Sequence, residues 1–319
     1  MASQQQLREK ISAQIVAALE SGNVPPWRRP WRLGKNAGAP ANVVSKKGYR
    51  GINPILLDVA STRHNLNSKW WGTFNQWRQL DGKVMRRPAD VPEGQWGTTV
   101  VFWSPVTKTI KNDTGQDEED KFFVMKSYTV FNVDQVEGEH LDHLRAGLAD
   151  TGGNAAQVID YEPAEEALEA SRLGMNISLR YGGGKAFYNP AQDYVQVPPK
   201  ATFESLEEYY ATVFHELVHA TEHPTRLDWS RKNKENSYAL GELIAELGGV
   251  FLCRELGVPA SDDLSNHTAY LANWLKAMKN DSRFIFLASA QSSKAADYIL
   301  SFSRKPEDVP VPEGELATI

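Results

Sequence analysis

The 319-residue sequence predicts an α+β protein of two domains, on three observations. Helical periodicity recurs along the chain, whereas strand-like patterning is confined to two clusters, near residues 98–133 and 176–198. Charge is divided unevenly: residues 1–136 carry 19 Lys and Arg against 12 Asp and Glu, and the remainder carries 16 against 28. Seven of the nine tryptophans precede residue 104. A basic, tryptophan-rich half joined to an acidic half predicts an N-terminal α+β domain over 1–136 and a linker region over 137–160. A C-terminal domain, a short mixed sheet plus long helices, follows over 161–319.

Each element has a local reason. Leu7, Ile11, Ile15, Val16 and Leu19 share one face of a helix over about 5–20, which Gly22 and Pro25-Pro26 end. The basic stretch "WRRPWRLGKNAGAPANVVSKKGYRGIN" reads as extended and loop-rich, and helices follow at "INPILLDVASTRH" and "TFNQWRQLDG". "TTVVFWS" (98–104) and "KFFVMKSYTVFNV" (121–133) read as strands, with the acidic "KNDTGQDEED" as a solvated hairpin tip between them. "AEEALEASRLG" restarts helix. Short strands are expected at "NISLRY", "KAFYN" and "DYVQVP". "FESLEEYYATVFHELVHATEH" is a helix opened by a Ser205/Glu208 capping box and stopped before Pro224. Three more helices are expected at "YALGELIAELGGVFLCRELG", "HTAYLANWLKAMKND" and "FIFLASAQSSKAADYILSF", before a frayed tail.

With 41% hydrophobic and 24% charged residues the composition is that of a globular protein, and no apolar run approaches the ~20 residues that span a bilayer. The N-terminal helix pattern is broken by charge, unlike a signal peptide. A single cysteine, Cys253, excludes an intramolecular disulfide and a cysteine-based zinc cluster. A cytoplasmic protein with no membrane partner is expected.

"VFHELVHATEH" (213–223) holds the spacing H-E-x-x-H. On a helix, residues four apart share a face, so His215 and His219 can offer imidazole nitrogens to one ion. Glu216 projects beside them, in place to act as general base and then as general acid to a leaving amine. A catalytic zinc has three protein ligands as a rule, and "GELIAEL" offers Glu242 and Glu246, themselves four apart. The arrangement resembles that of thermolysin-like enzymes, with Glu242 as ligand and Glu246 behind it as partner of a ligand histidine, or the two exchanged. His223 is the rival third ligand, but i, i+4 and i+8 spread over ~12 Å of straight helix. Tyr238 is a candidate donor to a tetrahedral oxyanion. The expected ion is Zn2+, with another divalent ion such as Mn2+ as the alternative.

The N-terminal half interleaves cations with aromatics: Trp27, Arg28, Arg29, Trp31 and Arg32, then Lys46, Lys47, Tyr49, Arg50 and Asn53. Trp71 and Phe74 follow in "SKWWGTFNQW", and Lys83, Arg86 and Arg87 in "KVMRR". Residues 1–87 hold 15 basic side chains against 4 acidic ones. Single-stranded nucleic acid is held by such a mixture, cations on phosphates and rings on unpaired bases. Trp27, Trp31, Tyr49 and Arg50 lie in loop-like sequence and are expected to be exposed, whereas at least one of Trp70, Trp71 and Trp77 is expected in a core. A peptide or anionic surface is the competing partner.

"VPPWRRPW", "GYRGINPILL", "WGTFNQWRQLDGKV" and "YTVFNVDQVEG" resemble the N-terminal domain of ArdC-type antirestriction proteins, related to the N-terminal part of TraC-type primases. "FYNPAQDYVQVP", "YYATVFHELVHATEH", "RLDW", "YALGELIAELGGVFL" and "YLANWLKAMKND" resemble the zincin-like metallopeptidase domain of that family. The resemblance implies an antirestriction protein of a conjugative plasmid or mobile element that binds single-stranded DNA without marked sequence preference. It also implies a zinc-type site of His215, His219 and an acid of "GELIAEL", with Glu216 as catalytic carboxylate. Gly241-Glu242 stands where the family often has two acids, and Glu242 is kept. Two alternatives remain: a DNA-binding protein whose zincin site is structural or inactive, and a zinc peptidase whose basic domain recruits an acidic protein.

Overall fold

The computed structural model describes residues 3–22, 25–28, 36–111, 117–146, 161–229, 236–260 and 265–304. Helix α1 (Gln4–Ser21) opens with a reciprocal cap: the Ser3 hydroxyl accepts from Gln6 N, and the Gln6 side chain accepts from Ser3 N. Its apolar face buries Ile11, Ile15, Val16 and Leu19. A single 3-10 turn, Pro26–Arg28, follows. Next come β1 (Ala41–Asn42), α2 (Asn53–His64), β2 (Trp70–Thr73), α3 (Phe74–Gln79) and β3 (Lys83–Val84). The long strands β4 (Thr98–Lys111) and β5 (Asp117–Asn132) then complete a four-stranded sheet of order β1-β2-β5-β4, in which only β1 and β2 are parallel.

Two expectations change here. The acidic run is not all loop: Asp117 and Asp120 stand in β5 in register with Lys111 and Lys108, so the hairpin ladder runs beyond its apolar part. Residues 112–116 lie outside those described. The start of the expected linker also belongs to the first domain. β6 (Val136–Glu137) pairs with β3, and a 3-10 segment, Glu139–Leu144, buries Leu141 and Leu144 against Val43 and Trp77. Residues 147–160 lie outside those described.

In the C-terminal half, α4 (Glu162–Gly174) leads into β7 (Ser178–Tyr181), β8 (Phe187–Asn189) and β9 (Tyr194–Val197), ordered β7-β9-β8 with β8 antiparallel. Four helices follow: α5 (Leu206–Ala220), α6 (Ser237–Glu255), α7 (Ser265–Asn280) and α8 (Phe284–Leu300). The N-terminus of α5 carries half of the expected capping box. Ser205 accepts from Glu208 N, but the Glu208 carboxylate turns to Glu204 N instead. Helix α6 is buried from Ala239 to Arg254, with Glu242, Glu246 and Arg254 among otherwise mostly apolar side chains.

The two domains share one core. Ile11, Ile15, Leu19, Trp27, Ile55 and Val101 from the first pack in the same cluster as Phe214, Leu243, Trp274 and Ile285 from the second. Ion pairs stitch the same boundary: Arg28–Glu246, Arg254–Asp58 (2.6 Å each) and Arg50–Asp297 (2.6 Å). Among the described residues, no helix is long and apolar enough to cross a membrane.

Candidate metal centre and nucleic-acid face

Helix α5 sets His215 and His219 one turn apart, with ring centroids 4.9 Å apart and planes at 73°. Helix α6 reaches them because "GG" in "ELGGVF" lets it close on α5. A Cβ on Gly248 would meet Val218 at 2.8 Å, and one on Gly249 would lie 3.4 Å from the His215 backbone nitrogen. The approach carries Glu242 to the histidines, with one oxygen 3.7 Å from His215 Nε2 and the other 3.6 Å from His219 Nε2.

These three residues form the one group of potential ligands found among the described residues, each offering an atom within 4.8 Å of the others. Ligands at ~2.0–2.2 Å around a tetrahedral ion are roughly 3.3–3.6 Å apart. With the three atoms here within 4.8 Å of one another, His2Glu suits a divalent ion once the side chains draw in by up to about 1 Å. His223 stands outside the group: α5 ends at Ala220, and its Nδ1 lies 2.8 Å from Thr225 Oγ1. Glu246, the alternative ligand, is not in this group; its oxygens accept from Arg28 Nε and Nη2 at 2.6 and 2.7 Å.

Burial pushes the Glu216 carboxyl above its usual range; the Glu242 charge adds to this, while His215 and the Tyr188 backbone pull the other way. For His215 burial opposes the charged ring, but the Glu242 carboxylate 3.7 Å away and the charges of Glu216 and Glu246 win, so its basicity rises. A cavity of about 960 Å3 opens over these groups, between β8 and the α5–α6 pair.

Tyr238 lines its mouth, 58% exposed, with its hydroxyl 3.2 Å from that of Tyr270. Tyr270 was missed by sequence reasoning. It stacks on Trp274 (centroids 6.0 Å, 20°), and that i, i+4 pair in "YLANW" is the only trace it leaves in the sequence. The Tyr238 hydrogen bond, burial and the nearby Glu242 and Glu216 charges all hold the Tyr270 proton on. Past α5, Arg226 donates to the Ala220 carbonyl and pairs with Asp193 at 2.7 Å, fastening the helix end to the β8–β9 turn.

The expected nucleic-acid residues divide sharply. Trp27 and Trp71 are buried, against the expectation for Trp27, and offer no face to a base. Arg28 is buried in its ion pair, and Asn53 is buried with its amide bonded to both backbone groups of Val101. Tyr49 is buried too, its hydroxyl pushed up to about 12 by burial against a weaker Asn42 bond, and Arg50 is engaged by Asp297. Arg29, Trp31 and Arg32 lie outside the described residues.

Lys46, Phe74, Lys83, Arg86 and Arg87 are exposed and Lys47 is half-buried. The aromatic centre of this surface is the neighbour of a residue expected there. In β2 the pleat turns Trp71 into one core and the half-buried Trp70 to the opposite face, where it packs beside the cluster of Val43 and Trp77. Lys46 and Lys69 ammonium groups lie 4.6 and 4.9 Å from the Trp70 ring centroid. Asn36 fixes the ring by accepting from its Nε1 at 2.8 Å.

Residues 5–131 match the N-terminal domain of anti-restriction factor ArdC, and residues 164–291 match a zincin-like metallopeptidase domain. Fold and sequence thus define a two-domain protein of antirestriction type with a zincin-like C-terminal half. The chain is similar to the crystal structure of the antirestriction ArdC protein from the R388 plasmid. In its metal-free form that structure gives a TM-score of 0.72 at 35% identity, over 93% of this chain and 97% of that one. Its Mn(II)-bound form gives 0.67 at 34% identity, over 94% and 99%. The uncharacterized protein y4eC of Sinorhizobium fredii is 32% identical over 298 residues, 91% of this chain and 90% of the relative. The chain belongs to the ArdC antirestriction family. It is also 31% identical over 318 residues to the DNA primase TraC of Escherichia coli, of which the match spans only 27%.

Proposed function

We propose that the protein binds single-stranded DNA without marked sequence preference and carries a divalent-metal hydrolase site of metallopeptidase type. It would work as the antirestriction protein of a conjugative plasmid or similar element, inside the cell and away from membranes. The observation that carries the reading is the convergence of His215, His219 and Glu242 under the cavity, with Glu216 beside them. The similar R388 protein has been crystallised with Mn(II), which favours a divalent ion here, Zn2+ or Mn2+.

A divalent ion held there supplies Lewis acidity and brings the pKa of water toward ~7. Glu216, its carboxyl raised by burial, would take a proton from the water that adds to the substrate carbonyl carbon and return it to the amine nitrogen as the C–N bond breaks. Tyr238 and Tyr270, hydroxyl to hydroxyl at the mouth, are donors for an oxyanion on the substrate. The part-exposed Trp70 and the lysines Lys46 and Lys69 over its ring, with Lys47, Phe74, Lys83, Arg86 and Arg87 in the same domain, supply stacking and phosphate contacts. The host restriction machinery is the natural protein target.

The test is Glu216→Gln beside wild type, in DNA transfer into a restricting recipient and in proteolysis of recipient extracts. Metal content and DNA affinity should stay, while protection and any cleavage fall by at least 100-fold. Full protection by the variant would mean that binding alone suffices.

A further inference from the structure

Two buried arginine–carboxylate pairs join the domains across α6, and they differ in where they sit. Arg254–Asp58 lies near the end of the helix, twelve residues and ~18 Å of rise beyond Glu242, although Arg254 also donates to the Trp27 carbonyl at 2.7 Å. Arg28–Glu246 lies one turn beyond Glu242, and Arg28, Glu246 and Glu242 all line the large cavity. Arg28 binds both carboxylate oxygens, a fork geometry that fixes the position of Glu246 as well as its charge. Arg28, Glu246, Trp27 and His215 also wall a void of about 20 Å3, so the pair abuts the ligand histidine from behind.

Trp27, next in the chain, packs against Trp274 with ring centroids 6.5 Å apart. Trp274 stacks on Tyr270 and donates from its Nε1 to the Ala239 carbonyl in the first turn of α6. Residues 27 and 28 of the N-terminal domain therefore brace the site on two sides, the acid-bearing turn of α6 and the tyrosine pair at the mouth.

We propose that Arg28 is a positioning residue of the metal centre: its grip on Glu246 sets the turn of α6 that presents Glu242 to His215 and His219. The zincin-like half is then completed by a side chain from the other domain. This rests on the metal reading above.

The test measures the dissociation constants of Zn2+ and Mn2+ for the full chain, with thermal unfolding in parallel. Wild type should hold one ion per chain and His215→Ala none; if wild type holds none, the metal reading falls, and this inference with it. The double variant R28M/E246M replaces the buried pair by apolar side chains, which often keeps or raises stability. It should fold and yet bind metal about tenfold more weakly, the scale found for partners just behind metal ligands. R28K keeps the charge but loses the fork, and should fall between the two. The control R50M/D297M removes the third interdomain pair, which lines neither the cavity nor the void beside His215, and should bind metal as wild type does. Wild-type affinity in R28M/E246M and R28K, or equal losses in both double variants, would reduce Arg28 to a fastening between domains.

Discussion

The basic, tryptophan-rich half contains two clusters of the same composition with opposite fates. In Pro26–Arg28 the indole of Trp27 is fully buried against Trp274, and the guanidinium of Arg28 is spent on Glu246. Around Trp70 the indole stays partly exposed, with two lysine ammonium groups over its ring. A cation beside a tryptophan is therefore not a nucleic-acid signal until its partner is known. A carboxylate in a core makes the pair structural, whereas a ring that stays partly exposed can still meet a base.

The largest effect should come from the inward cluster. Trp27→Ala is expected to destabilise the protein by about 3–5 kcal/mol, because a large side chain leaves a closed core. Denaturant unfolding checks this, and a loss under 1 kcal/mol would mean that the ring is not packed as described. The metal centre that this cluster braces should respond to pH. A more basic His215 holds its proton to higher pH than an ordinary imidazole, so proton competition with the metal sets in earlier. Metal affinity should fall by about tenfold per pH unit once pH drops below the ring's raised pKa; Mn2+ titrations from pH 8 to 5.5 would show it, and a flat profile would remove His215 from the ligands. Chelation should leave single-strand affinity within about twofold, since the outward cluster uses no metal. The smallest effect is on salt dependence. If Lys46 and Lys69 each neutralise a phosphate, K46Q/K69Q should lower the slope of log K against log salt by about 1.4. An unchanged slope would move the phosphate path elsewhere.

What the sequence disclosed follows from the range of each interaction. Helix α5 with its histidine pair, and the E-x-x-x-E of α6, are local spacings, and they were legible. Their meeting depended on Gly248 and Gly249, whose role shows only once α5 lies against them. The pairing of Arg28 with Glu246 spans 218 residues, and no local pattern announces it. Trp70 and Trp71 are adjacent in a strand, so the period of two guarantees that they face opposite ways without saying which is inward. The expected linker failed at 137–146 because Leu141 and Leu144 are too sparse to register as a core segment, although both are buried.

The division of the two clusters is tested most directly by one titration of an unstructured oligonucleotide, run at low salt with wild type, Trp70→Ala and Arg28→Lys. Removing the part-exposed Trp70 ring should weaken binding by about 1–3 kcal/mol, roughly 5- to 150-fold. Arg28→Lys should bind within twofold of wild type. If Trp70→Ala binds as wild type does, or Arg28→Lys is weakened as strongly, the assignment of the two clusters is contradicted.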